Sequence, residues 1–164
     1  MLVFIDTEYT NPETKKLISI GLVGEDGQKQ FYAEVPVNED ECNRFVRENV
    51  LPVLTGPVME LPELRQALLE WFKGMPRKVV LAADSPIDIR LLMDLLGERP
   101  ANVTEDWFDL RPLIDTTAYH AAVCKYHEQP DQPWHHALHD AEAHQVALSI
   151  ARSSKIRGLL EAAF

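Results

Sequence analysis

Apolar residues recur with two different periods along this chain, and the change of period divides it. From Leu2 to Val35 the pattern is that of strands. Leu2-Val3-Phe4-Ile5 is an apolar run continued by Asp6-Thr7-Glu8-Tyr9. Leu17 to Val23 is apolar and rich in β-branched residues, and between Lys29 and Val35 the residues Phe31, Ala33 and Val35 alternate with Gln30, Tyr32 and Glu34. Such runs, bounded by turn residues, read as strands. Glu25-Asp26-Gly27 between the second and third has the composition of a hairpin turn. The opening segment is therefore expected to be an antiparallel meander.

Beyond Pro36 the period lengthens. Asn38 followed by Glu39, Asp40 and Glu41 predicts a helix reaching Asn49, because first-turn carboxylates complement the helix dipole. Pro52, Gly56 and Pro57 mark a long connection, and Leu64, Leu68, Trp71 and Phe72 carry a second helix from Pro62 to Lys73. Arg77 to Ala83 reads as a buried strand, after which Ser85-Pro86 opens a helix bearing Ile87, Leu91, Leu92 and Leu95. The segment Trp107 to Ile114 supplies a further short strand, confined to an edge or cut short by Pro112. Helices from Thr116 to Glu128 and from Ala137 to Ser153 follow, joined by the loop Gln129 to Trp134, and a short tail helix ends at Phe164. Strand, helix and strand in alternation point to an α/β fold. With 164 residues, and neither repeats nor a linker, one domain over 1–164 is expected.

Composition narrows the partners. A formal net charge of −10 is the opposite of what a protein that coats nucleic acid needs, since phosphate binding rests largely on Lys and Arg. A nucleic-acid enzyme is still compatible with it, because carboxylates that gather divalent ions count as negative in the sequence while the ions present positive charge. Cys42 and Cys124 lack metal-ligand or redox spacing and read as reduced core thiols. The first apolar run is short and broken by Asp6, so neither a signal peptide nor a membrane span is expected. The expected location is cytoplasmic.

Three acidic clusters carry the candidate chemistry. Asp6 and Glu8 lie two apart on a strand and therefore project on one face, with Thr7 on the other; two carboxylates so close call for a cation. Asp88 follows the buried strand at a strand-to-helix junction, where open α/β sheets place ligands. With Ser85 as N-cap and Pro86 at the first helical position, Asp88 is third, a place where an acid also serves simply to cap the helix. Asp140 sits on the first turns of the last long helix, in His135-His136-Ala137-Leu138-His139-Asp140. His136, Asp140 and His144, four apart, would share one helix face as zinc ligands can, a reading that leaves Asp6, Glu8 and Asp88 without a role. For His120, His127, His139 and His144 the plain expectation is an exposed ring with no function.

Taken in order, Phe-Ile-Asp-Thr-Glu on the first strand, an Asp at a helix start after the central strand, and His-x-Ala-Leu-x-Asp-Ala near the C-terminus resemble the DEDDh exonucleases of the ribonuclease H-like superfamily. The segments Gln30 to Glu34 and Phe45 to Pro52 are similar to the small, stand-alone bacterial and phage 3′-to-5′ exoribonuclease branch. The resemblance implies a ribonuclease H-like mixed sheet, its first three strands antiparallel and the later ones parallel, flanked by helices. It implies two ions, Mg²⁺ or Mn²⁺, which suit hard carboxylate ligands. Asp6 would bridge both ions, Glu8 and Asp140 would hold the one carrying the attacking water, and Asp88 would support the other. His135, which alone has the His-x-Ala-Leu-x-Asp register, would be the general base, moving in after the Pro-bearing loop as substrate arrives, while His136 turns to the helix or to solvent. Groups around Thr7 and Glu8 would receive the terminal nucleotide, and Tyr9 and Trp134 are candidates to stack on bases. The implied partner is a single-stranded RNA 3′ end, with DNA as the alternative, and relatives of this size suggest a homodimer. A proofreading exodeoxyribonuclease and a catalytically silent nucleic-acid-binding module of the same fold are the rival readings. One departure stands out: many members have Asn four residues before the third acid, where this chain has Asp84, adding negative charge near the nucleotide path.

Overall fold

β1 (Leu2–Tyr9) is the centre of the molecule because it is paired on both sides. On one side β2 (Leu17–Gly24) runs antiparallel to it over nearly its whole length, followed by β3 (Gln30–Glu34). On the other side β4 (Val80–Ala83) pairs parallel with it, but only through Leu2, Val3 and Phe4, and β5 (Phe108–Asp109) pairs parallel with β4. The sheet order is β3-β2-β1-β4-β5, the mixed antiparallel-then-parallel arrangement expected and one compatible with a ribonuclease H-like fold. The computed structural model describes the backbone of residues 1–114 and 116–161, with side chains as far as 153.

Helices cover both faces, as a sheet apolar on both sides requires. Val3 and Ile5 point into a core built with Leu64, Leu68 and Phe72 of α1 (Leu61–Lys73) and Leu92 and Leu96 of α2 (Pro86–Leu96). Phe4, pointing the other way, meets Tyr119 and Val123 of α4 (Thr117–His127) and Ala141 and Ala147 of α5 (Ala137–Glu161). A helical turn, α3 (Arg111–Ile114), precedes α4. The alternation of side chains along β1 is thus satisfied by a separate core on each face. The start of α5 comes unusually close to β2: a Cβ on Gly21 would lie 2.3 Å from the Leu138 amide nitrogen and 2.4 Å from the Ala137 carbonyl. Buried alanines, Ala137 and Ala141, continue that tight contact along α5.

Several expectations need correction. No α-helix spans Asn38 to Asn49. Asn38 does cap as expected, accepting from the Asp40 amide, but only a 3₁₀ turn (Glu39–Glu41) follows, then a π-type turn (Val46–Val50) and a second 3₁₀ turn (Leu51–Val53). Buried Cys42, Val46 and Val50, packed with Ile18 in a small separate core, hold this irregular path in place of helix propensity. Trp107 to Ile114 gives a strand of only two residues and then a helical turn, as Pro112 at the edge foretold. The helix from Ala137 does not stop at Ser153 but runs to Glu161, so the separate tail helix is absent as far as that residue; the expected end at Phe164 lies outside the described residues. Cys42 and Cys124 are both free, Cys42 buried and Cys124 half-buried. No helix among the described residues is long and apolar enough to cross a membrane.

Candidate active site

The early end of the β1–β4 pairing creates the site. β1 carries on past Phe4 while the chain leaves β4 at Ala83, and the crevice lies where strand order reverses, the place an open α/β sheet offers for ligands. Ser85 accepts a hydrogen bond from the Ile87 amide and starts α2 with Pro86 at its first position. That start brings Asp88 back onto β1. Its Oδ1 accepts from both the Thr7 hydroxyl at 2.6 Å and the Thr7 amide at 3.2 Å, so Asp88 is not the capping acid that its position also suggested. A shift of register between Glu8 and Tyr9 ends the regular pairing with β2 beside the site, where such irregularities re-aim side chains.

A pocket of about 560 Å³ opens there, and Asp6, Thr7, Glu8, Tyr9, Asp88, Trp134, His135 and Asp140, all proposed from the sequence, line it. The ligating atoms fall into two groups. One atom each from Glu8, His135 and Asp140 lie within 4.8 Å of one another, and so do one each from Asp6, Asp84 and Asp88. The groups adjoin through Asp6 and Glu8, neighbours on one face of β1. His136, Asp140 and His144 form no such group among the described residues, so the zinc reading fails. The ring of His136 is buried instead, stacked on Tyr32 with centroids 4.2 Å apart, which corrects the expectation that it turns to helix or solvent. Burial pushes its imidazole below the ordinary value.

His135 needs no inward movement to reach the group, since it already lines the pocket. Its backbone sits at φ +63°, a conformation rare for a residue with a Cβ and a common mark of functional strain. Phe45, half exposed, packs edge-on against the ring at a centroid distance of 4.9 Å. Beside it, Trp134 stacks one face on His127 at 3.9 Å and exposes the other.

Electrostatics give the fit to cations. Loss of solvent and the charges of Asp88, Asp140, Glu8 and Asp84 raise the Asp6 carboxyl well above the carboxylate range. Desolvation, then Asp140, Asp88 and Asp84, push Glu8 to about 8. Burial pushes Asp88 to about 7 although both Thr7 bonds oppose it. Asp88 Oδ2 is buried without a hydrogen-bond partner. Crowded acids with an orphaned carboxylate oxygen, and no lysine or arginine among the described residues of the pocket wall, match oxygen-preferring divalent ions.

Four residues of the site were not foreseen as contributors. His127 is not exposed: its side chain is fully buried, with Nδ1 2.9 Å from the Gln132 carbonyl and Nε2 3.2 Å from Asp140 Oδ1. His127 Nε2 makes no hydrogen bond there, so it meets the Asp140 carboxylate by close packing alone. Asp84 joins the second group, and His144 faces Asp84 at 3.5 Å. Phe45 is the fourth. Asp84 had a signal in the sequence, as the departure from Asn, and His144 one of a different kind, as a candidate zinc ligand; the places of the others depend on how the folded segments meet.

No protein-family profile matches the chain. Over 69 residues it is 36% identical to a protein of Mycobacterium tuberculosis named 3′-5′ exoribonuclease Rv2179c, and equally to 3′-5′ exoribonuclease MT2234.1 of another strain. The aligned stretch is 42% of this chain and 41% of each relative, so the chain spans about two fifths of the length of the curated relatives it matches.

Proposed function

We propose that this chain is a DEDDh-type 3′-to-5′ exoribonuclease of the ribonuclease H-like superfamily, dependent on Mg²⁺ or Mn²⁺. The observation that carries the reading is the convergence of Asp6 and Glu8 from β1, Asp88 from α2, Asp140 from α5 and His135 from the preceding loop on one pocket, in two adjoining ligand groups. The partial similarity to proteins named 3′-5′ exoribonucleases supports it. Glu8 and Asp140 would hold one ion and Asp88 the other, with Asp6 between them. Two bound divalent ions supply Lewis acidity, favouring ionisation of an attacking water and neutralising charge that develops on the phosphate.

The protein's own groups do the rest. His135 would accept the water's proton, a task suited to imidazole near neutral pH. Its strained backbone and the Phe45 edge hold the ring in place, and His127 packs against Asp140. Thr7, its hydroxyl and amide committed to Asp88, serves the site by holding that carboxylate; the role of receiving the terminal nucleotide would then pass to the main chain around Glu8. The exposed face of Trp134 and the ring of Tyr9 would stack on bases. Cleavage releases nucleoside 5′-monophosphates singly from a 3′-hydroxyl end. A single domain over 1–164, a cytoplasmic location and a homodimer complete the proposal, the last tested by solution mass at micromolar concentration.

The test is digestion of matched RNA and DNA oligonucleotides with Mn²⁺ and with EDTA. RNA shortened from its 3′ end, and only with the metal, is the expected result. Activity that survives EDTA refutes the two-ion site, preference for DNA selects the exodeoxyribonuclease, and binding without shortening selects the silent module.

A further inference from the structure

The Asp84 carboxylate occupies a position that the four-acid scheme leaves unused. It comes from the last residue before the Ser85 cap, yet an oxygen of it lies within 4.8 Å of ligand atoms on both Asp6 and Asp88. It is only about one-third exposed, so a site already crowded with negative charge includes one more acid at its wall. Such an arrangement is unfavourable unless a cation is shared. The neighbouring Asp88 Oδ2, on a residue 2% exposed, has no hydrogen-bond partner, which leaves a buried acceptor beside these three acids that a cation would satisfy.

Asp84 is also held from behind. His144 Nε2 lies 3.5 Å from Asp84 Oδ2, and His144 Nδ1 lies 2.9 Å from the hydroxyl of Tyr119, a fully buried side chain. The Tyr119 ring also stacks on that of His144, at 5.9 Å and 27°. These contacts tie Asp84 to α4 and α5, and an outer shell that orients a carboxylate is what a ligand needs and a solvated surface acid does not. We infer that Asp84 is a fifth carboxylate ligand, which with Asp6 and Asp88 completes a three-acid site for the second ion, so that this ion binds before any RNA phosphate arrives. The inference rests on the two-ion reading above, and adds a ligand and an order of binding to it. His144 is a positioning residue in this scheme, acting through Asp84, and Tyr119 acts through His144.

The experiment counts Mn²⁺ bound to the EDTA-treated protein without RNA, by electron paramagnetic resonance of the free ion and by calorimetry. The wild-type chain is expected to bind two ions. Asp84→Asn, which keeps size and shape, should retain one ion and bind the second at least about 10- to 100-fold more weakly, the loss that even outer-shell changes cause at metal sites. His144→Ala should weaken the second ion alone and by less, and circular dichroism reports whether each variant is folded. Two ions bound with unchanged affinities by Asp84→Asn overturn the inference and leave the proposed function intact. A single ion on both proteins does the same. Failure of the wild-type chain to bind Mn²⁺ at all overturns the proposed function and the inference together.

Discussion

Replacing Asp88 by Asn should make the metal-free protein more stable, although it removes a proposed metal ligand. The carboxyl is pushed from 3.8 to about 7 in the folded chain. A raised acid means that the folded state holds its proton more tightly than the unfolded state. Between about pH 4 and 7 the folded chain therefore binds more protons, and stability falls as pH rises through that window. Each tenfold displacement of a proton equilibrium is worth about 1.4 kcal/mol, so three such steps put the cost of ionised Asp88 above pH 7 at no more than about 4 kcal/mol. Asn keeps an oxygen to accept from Thr7 and removes the charge, but buries an amide NH₂ in its place. A net gain of about 1–3 kcal/mol at pH 8 in EDTA is expected, after that burial penalty. For a chain of this size it raises the midpoint by roughly 3–10 °C. At pH 5 only the first of those three steps has been taken, so the difference should fall by about 2–3 kcal/mol from its value at pH 8 and vanish or change sign. Added Mn²⁺ should reverse the order, because only the wild-type site gains the full binding free energy. Thermal unfolding from pH 5 to 8.5, with EDTA and with Mn²⁺, measures all of this. An Asn variant less stable than wild type at pH 8 in EDTA, or a difference independent of pH, refutes the reasoning.

His135→Ala should lose about 10²- to 10⁴-fold in rate while calorimetry still finds Mn²⁺ bound, and its remaining activity should climb with pH as hydroxide replaces the base. His135→Gly should lose the same rate yet unfold up to about 1 kcal/mol later than the Ala variant, because glycine is unstrained at φ +63°; equal midpoints for the two would remove the strain. His136→Ala should instead be a stability variant, losing about 1–3 kcal/mol with its buried Tyr32 stack but far less rate per folded molecule than His135→Ala, and the reverse pattern in a paired rate and melting assay would exchange the two roles. Gly21→Ala should cost about 1–3 kcal/mol or more by overpacking β2 against α5 and should lower activity as well, since the displaced helix start carries Asp140; unchanged melting and rate would show that the contact is slack.

How much was legible in the sequence depends on the range over which each feature is decided. Asp6 and Glu8 on one strand face, Ser85 and Pro86 at a helix start and the β2–β3 hairpin follow from neighbours a few residues apart, and local backbone geometry enforces them in any context. The apolar periods likewise determined the sheet's meander and most of the helices. The irregular path from Asn38 to Val53 was not legible, because a small core around Ile18 overrides the local helix signal. Asp88 looked like a capping acid until Thr7, 81 residues away in sequence, proved to be its partner. Nothing local shows that His127, His144 and Phe45 contribute as they do: spacing offered His144 only as a zinc ligand, and Phe45 entered only within a segment of resemblance. Whether a histidine is solvated, packs on Asp140 or backs Asp84 is decided by how α4 and α5 meet on one face of the sheet, and the chemistry of a buried polar group is set by the partners that only the folded chain supplies.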